Sequence, residues 1–242
     1  PYDIPNFESM EGDVLSLEKD TAVWIPLPEY CHSRKVTQVV INKNSEGIYS
    51  NTTNVTTTNY EAELLRKKLI KSDEKDYYLG LTSIQNHSLE IDSVQVDNLR
   101  SHDEKLSVTV FGTYADELFS DADMIYLNLP MLSEFGSNPF NNADREYPVE
   151  FSYPKEETVV FTIMIPEGYQ LEDSKKPMML KLIDGSVEVR YNMQQSSNIV
   201  QVLFNAKINS TFVPYENYLL LKEIFDLYIN AINTPIVLKR VQ

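Results

Sequence analysis

The sequence predicts a mainly β protein. Its antiparallel, sandwich-like sheets form two lobes, with one helix near 59–71 and one near 214–233. Three observations carry this. Apolar and polar residues alternate along several stretches, as in Leu106-Ser107-Val108-Thr109-Val110, the period of a strand with one buried face. Turn sequences such as Asn44-Ser45-Glu46-Gly47 and Asp184-Gly185 separate apolar runs, as hairpins require. Two stretches switch clearly to helical spacing.

Taken in order, residues 1–13 show little periodicity and read as a linker or arm. Val14–Leu17 and Val23–Leu27 are short strand candidates. Pro26 and Pro28 place the second at an edge, because proline cannot donate to a ladder. Val36–Lys43 and Ile48–Thr57 read as a hairpin around Gly47. Thr58 followed by Glu61 resembles a capping box for a helix to about Lys71, with Ala62, Leu64, Leu65 and Leu69 on one side. Lys67, Lys68 and Lys71 gather where the helix dipole favours cations. Asp76–Thr82 is a second short helix candidate. Leu89, Ile91, Val94 and Val96 predict a strand interrupted by a bulge near Asp92-Ser93. Leu106–Tyr114 and Met124–Leu129 follow as strands.

Residues 133–144 are turn-rich and mark the expected boundary between an N-terminal β lobe, 1–140, and a C-terminal one, 141–242. Beyond it lie strands at Tyr147–Phe151, Thr158–Ile165, Met178–Ile183, Val187–Met193 and Val200–Ile208. Phe212–Asn233 reads as helical, with Pro214 in its first turn and Tyr218, Leu221, Ile224 or Phe225, and Tyr228 on one face. Pro235 ends it, and Ile236–Leu238 is a last strand.

The totals exclude several functions. With 242 residues and 42% hydrophobic residues the chain can build a sizeable core. Its net charge of −15 argues against nucleic acid and against anionic membrane surfaces. No apolar run reaches the roughly 20 residues of a membrane helix, and no basic-then-apolar signal peptide opens the chain. Pro1-Tyr2-Asp3-Ile4-Pro5 reads as the interior of a longer protein. Asn51, Asn54, Asn86 and Asn209 open Asn-x-Ser/Thr triplets, which matter only in a eukaryotic secretory pathway.

No motif carries chemistry. Cys31 is the single cysteine, so neither an intrachain disulfide nor a thiolate zinc cluster can form. His32 adjoins it, but neighbours on an extended chain point apart, and no helix start follows to activate the thiol. A loop thiol is the ordinary explanation. His87 and His102 lack ligand partners at helical or hairpin spacing. Asp116, Glu117, Asp121 and Asp123 form an acidic loop that lacks the EF-hand pattern and reads as solvated. The abundant carboxylates single out no glycosidase pair. Catalytic, cofactor and metal residues are therefore expected to be none. Strand aromatics could form a carbohydrate platform and a sheet edge could accept a peptide, though core packing is the default for such aromatics.

Several short motifs resemble a known family. They are Arg145-Glu146-Tyr147-Pro148-Val149-Glu150-Phe151, Ile165-Pro166-Glu167-Gly168-Tyr169, Asn138-Pro139-Phe140, Tyr218-x-x-Leu221-Lys222, Ile236-Val237-Leu238-Lys239, and Tyr60-Glu61-Ala62-x-x-Leu65-Arg66. They resemble bacterial extracytoplasmic proteins with a transglutaminase-like (papain-like thiol) core flanked by β domains of unknown function. The resemblance covers nearly the whole chain, most specifically 138–240. The family's Cys, His and Asp belong to the core upstream, and Cys31 does not match its nucleophile motif. The resemblance implies a periplasmic or cell-surface, non-catalytic accessory region. Its implied partner is the upstream core, with a peptide or glycan as the alternative.

Overall fold

The computed structural model describes residues 13–18, 21–26, 32–71, 89–101, 105–114, 119, 122–129, 133–172 and 176–241. The expected arm, the helix at Asp76–Thr82, Cys31, His87, His102, Asp116, Glu117 and Asp121 lie outside these.

The described chain is mainly β, with antiparallel sheets and two α-helices. β1 (Asp13–Glu18) and β2 (Thr21–Pro26) pair as an isolated hairpin. β3 (Ser33–Lys43) and β4 (Tyr49–Thr57) form the expected hairpin. Gly47 takes φ +89°, and the Asn44 side chain accepts from the Glu46 and Ile48 amides at 3.0 and 2.9 Å. β5 (Leu89–Asp97) pairs with β6 (Leu106–Tyr114), and their register shifts between Ile91 and Ser93, where the bulge was expected.

β9 (Lys155–Met164), β11 (Met178–Lys181), β12 (Val187–Ser196) and β13 (Ile199–Ile208) follow the 133–144 segment. With β3 to β6 they build one eight-stranded sheet, ordered β11-β12-β13-β9-β3-β4-β6-β5. Four strands thus come from each side of that segment. The join is β3 beside β9, the sheet's parallel pair. One core runs across it, from Val39 and Ile41 to Phe161, Ile163, Val200 and Val202. β7 (Met124–Leu127), β10 (Tyr169–Leu171) and β15 (Ile236–Arg240) make a three-stranded sheet ordered β10-β15-β7.

The Asp184-Gly185 turn joins β11 to β12. Only Gly185 has positive φ, +72°; the Asp184 carboxylate accepts from the Ser186 amide and hydroxyl at 2.9 and 2.7 Å.

α1 (Asn59–Lys71) packs Ala62, Leu65 and Leu69 on Val55, Leu106, Val108 and Val110. Two expectations fail here. Leu64 is 40% exposed. The capping box does not form: Thr58 Oγ1 accepts from the Arg34 amide and Ser33 Oγ from the Tyr60 amide, both 3.1 Å, so a neighbouring strand caps the helix. Glu61 turns inward instead.

α2 (Tyr218–Asn233) buries Tyr218, Leu221, Ile224, Phe225, Tyr228 and Ile229. It begins later than expected. Phe212-Val213 is a strand, β14, on β8 (Val149–Glu150), and Tyr215–Asn217 is a 3-10 turn. Pro214 disfavours helical backbone at Val213, and Val213 is buried in the core. β8 is correspondingly shorter than the expected Tyr147–Phe151.

Candidate functional site

The chemistry-bearing side chains of the described residues converge where β3 meets β9. Three core-facing neighbours across the sheet are Thr57 on β4, Lys35 on β3 and Glu157 on β9, paired by register. Sheet pairing alone therefore places a hydroxyl, an ammonium and a carboxylate in one row. The start of α1 lies above this row and supplies Glu61. The 133–135 turn closes the side with Ser133 and Glu134.

Burial forces these groups to pair. Glu157, 2% exposed, accepts from Lys35 Nζ at 2.9 Å, from the Ser133 hydroxyl and from the Glu134 amide at 3.3 Å. Tyr153 Oη donates to Glu61 Oε1 at 2.8 Å and its ring stacks on Tyr60 with centroids 4.9 Å apart. Lys155 Nζ donates to Glu134, lies 4.0 Å from Glu61, and sits over the Phe135 ring at 5.3 Å.

The titration of the group follows from this geometry. Burial pushes the Glu61 carboxyl up, and the charge of Glu134 adds to this, against the pull of Tyr153, Lys155 and Lys35. Burial also works to raise Glu134. Its charge attraction and hydrogen bond to Lys155, with help from Lys35, hold it below the usual range instead. Burial opposes the Lys35 ammonium, yet Glu157, Glu134 and Glu61 keep its pKa above the ordinary value. A proton is therefore favoured on Glu61 over Glu134.

A cleft of about 130 Å³ opens beside the group. Lys35, Thr57, Glu61 and Glu134 are among its polar lining residues. Val55, Leu64 and Leu65 are its apolar lining, and exposed Lys68 also lines it. Thr57 is 1% exposed and its hydroxyl has no hydrogen-bond partner among the described residues.

Of the candidate site residues considered from the sequence, His32 and Asp123 lie among the described residues, and neither joins this group. His32 is exposed, and its carbonyl accepts from Asn59 Nδ2 at 2.9 Å. Asp123 is exposed at the start of β7. No set of three or more His, Cys, Asp or Glu suited to a metal occurs among the described residues. Exposed aromatics lie on separate elements, as with Trp24 on β2, Tyr126 on β7 and Tyr215 in the 3-10 turn. The β3–β9 site could not be read from spacing, because its parts are up to 122 residues apart. Its one local signal was Glu61, an acid on the sheet-facing side of a helix.

The motifs around 138–145 and 218–222 meet elsewhere and build structure. Asn138 Nδ2 donates to the Lys222 carbonyl at 3.1 Å and to Asp226 Oδ1 at 2.7 Å. Lys222 Nζ returns a bond to the Phe140 carbonyl at 2.7 Å. Phe140 sits edge-on to Phe225 at 5.1 Å, and Arg145 lies over Tyr218 at 5.9 Å. These contacts fasten the 138–145 loop to α2.

A family described as "Domain of Unknown Function with solved-structure structure (DUF3858)" matches residues 123–238, from just before β7 into β15. No curated protein matches. A crystal structure of a "putative protease" from Parabacteroides distasonis is similar over 50% of this chain and 24% of its own, with 16% identity and a TM-score of 0.42. This chain thus spans about a quarter of that protein. The crystal structure of baculovirus P35 aligns over 88% of this chain and 98% of its own, with 8% identity and a TM-score of 0.18. At such scores neither likeness bears on function. No helix among the described residues is long and apolar enough to cross a membrane.

Proposed function

We propose that this chain is a β accessory domain without catalysis of its own, which packs on a transglutaminase-like (papain-like thiol) core in a periplasmic or cell-surface bacterial protein. The motif resemblance supports the context. The observation that carries docking is the outer face of α2. A helix lying on a sheet normally turns polar residues to water, yet Leu219, Leu220 and Leu227 are exposed there, with Phe212 and Tyr215 exposed just before the helix. Apolar side chains gathered in this way mark a surface meant to be covered.

The peptide-binding alternative is less well supported. β5 is an edge of the large sheet, but its bulge and its Asp92 and Asp97 are devices that discourage strand addition.

The test is association, by calorimetry, between this chain and a separately produced transglutaminase-like core of the resembling family. Binding that is abolished by Leu219→Glu with Leu227→Glu, with the circular dichroism spectrum unchanged, is the expected result. Binding untouched by the double variant overturns the assignment of α2. Absence of association, together with rapid alkylation of Cys31 at neutral pH, overturns the non-catalytic reading.

A further inference from the structure

We propose that the open face of the large sheet is covered by a second copy of this chain. The buried side of that sheet carries α1, α2 and the three-stranded sheet, and Val39, Val55, Val108, Phe161 and Val202 point into the cores there. Residues that alternate with these point the other way. Register sets Thr109, Asn54, Gln38, Val160, Leu203 and Asn192 side by side from β6 to β12. Neighbouring rows run from Phe111 to Gln194 and from Ser107 to Arg190. Apart from Asn205, every residue of the three rows is half-buried or exposed, so no described element lies over them.

Three rows of six outward positions hold one charge, Arg190, in a chain whose residues are 24% charged. The charges gather instead in the next row, at one end of the sheet. There Lys181, Glu188, Lys207, Glu156 and Arg34 lie side by side from β11 to β3 and alternate in sign. Glu156 pairs with Lys207 at 3.2 Å and with Arg34 at 3.4 Å. Depletion of charge marks the centre of an interface. It also selects the occupant. A charged partner would lose hydration here and meet no opposite charge. Two copies of this chain carry −15 each and repel overall. A two-fold contact through this face brings neutral surface against neutral surface, which keeps like charges away from its centre.

Polar groups of the face are already bonded within it. Asn54 Nδ2 donates to Thr109 Oγ1 at 2.8 Å and to Ser107 Oγ at 3.1 Å, and its Oδ1 accepts from Thr56 at 3.0 Å. Gln194 donates to Gln201 at 3.1 Å, and Asn205 donates to Thr158 at 2.8 Å. Covering such groups costs less than burying unpaired ones. Val36, Val40, Phe111, Val160 and Leu203 supply apolar contact between them. A glycan, which binds through free donors and acceptors, finds these amides engaged. The area also fits. Strands about 4.8 Å apart and rows roughly 6.8 Å apart give a flat area of roughly 600 Å². Side-chain relief brings this towards the about 800 Å² that each partner buries in a standard interface.

Sedimentation equilibrium of the chain over a concentration series tests this. A monomer–dimer equilibrium is expected, strengthened by salt, which screens the like charges. Gln38→Lys with Leu203→Lys should weaken dimerisation by roughly tenfold or more, although both substitutions lower the net negative charge, with the circular dichroism spectrum unchanged. Gln38→Lys alone, at an exposed position, should weaken it in the same direction and serves if the double variant does not fold. Leu219→Glu with Leu227→Glu, on the opposite side of the sheet, should leave the dimer intact, which separates this face from the docking assigned to α2. A chain that is monomeric at every concentration overturns the proposal; if its Gln38 and Thr109 amides then shift with a neutral oligosaccharide, the face belongs to a glycan instead. A dimer unchanged by a folded Gln38→Lys chain, or one lost with the α2 variant, overturns it as well.

Discussion

Lys35 and Glu157 face each other across the parallel β3–β9 pair, Nζ to Oε1 at 2.9 Å. This contact joins strands 122 residues apart at the seam of the large sheet. Removing one partner of a buried pair leaves the other charge uncompensated. Glu157→Ala removes the carboxylate that accepts from Lys35 at 2.9 Å and also frees the Ser133 hydroxyl and the Glu134 amide. We expect a loss of about 3–5 kcal/mol, read as a lower urea midpoint. A loss below about 1 kcal/mol, the range of exposed pairs, would show that water reaches the seam.

Glu61 makes stability fall with rising pH. Its native pKa is raised, so between the ordinary glutamate value of about 4.3 and its native value the folded state holds more protons than the unfolded state. Stability from this group is full below that window and is lost as pH rises through it. Glu134, Glu156 and Asp184 are lowered and act oppositely: their contribution is lost as pH falls through their native values. Glu61→Gln should therefore be more stable than the parent at neutral pH, with the gap closing towards pH 4. Urea midpoints across pH measure this, and a gap independent of pH would contradict it.

Phe140 holds the 138–145 loop on α2 through Phe225 and Tyr218. Phe140→Ala opens a cavity in the main core and should cost about 3–5 kcal/mol. Asn138→Ala removes bonds to Lys222 and Asp226 and leaves the Phe140 amide without its side-chain acceptor. It should cost less, about 1–3 kcal/mol. Calorimetric melting of the two variants gives the order.

Two glycines separate strain from crowding. Gly185 has φ +72°, and an added Cβ would meet nothing within 4 Å. Gly185→Ala should cost about 1–2 kcal/mol from backbone strain alone. Gly112 lies opposite the β5 bulge, where a Cβ would come 2.8 Å from the Glu90 carbonyl oxygen. Gly112→Ala must push β5 away, so its amides should lose hydrogen-exchange protection. Gly185→Ala should leave β5 protected.

Local chemistry made much of this fold legible. Alternation along Leu106–Tyr114 gives β6 with those limits, because a strand with one buried face repeats every second residue. Asn44, Gly47 and Gly185 mark turns because few residues adopt those conformations cheaply. Ile91 to Ser93 betrays its bulge by breaking the alternation. The face of α2 is visible because burial repeats every three or four residues. Where the local signal was ambiguous, tertiary context decided. Phe212-Val213 forms a strand by pairing with Val149-Glu150, and the Thr58 hydroxyl accepts from the Arg34 amide because β3 lies alongside.

By itself, then, the sequence determined a mainly β chain, the positions of most strands, the buried face of α2 and, apart from Leu64, that of α1, since each depends on neighbours a few residues away. Only the tertiary structure decided that β3 runs parallel to β9 and that Thr57, Lys35 and Glu157 share a row below Glu61. Parallel strands meet through long crossovers that leave no fixed spacing. A buried charge group is defined by which distant residues share the same low-dielectric space, and no local periodicity records that.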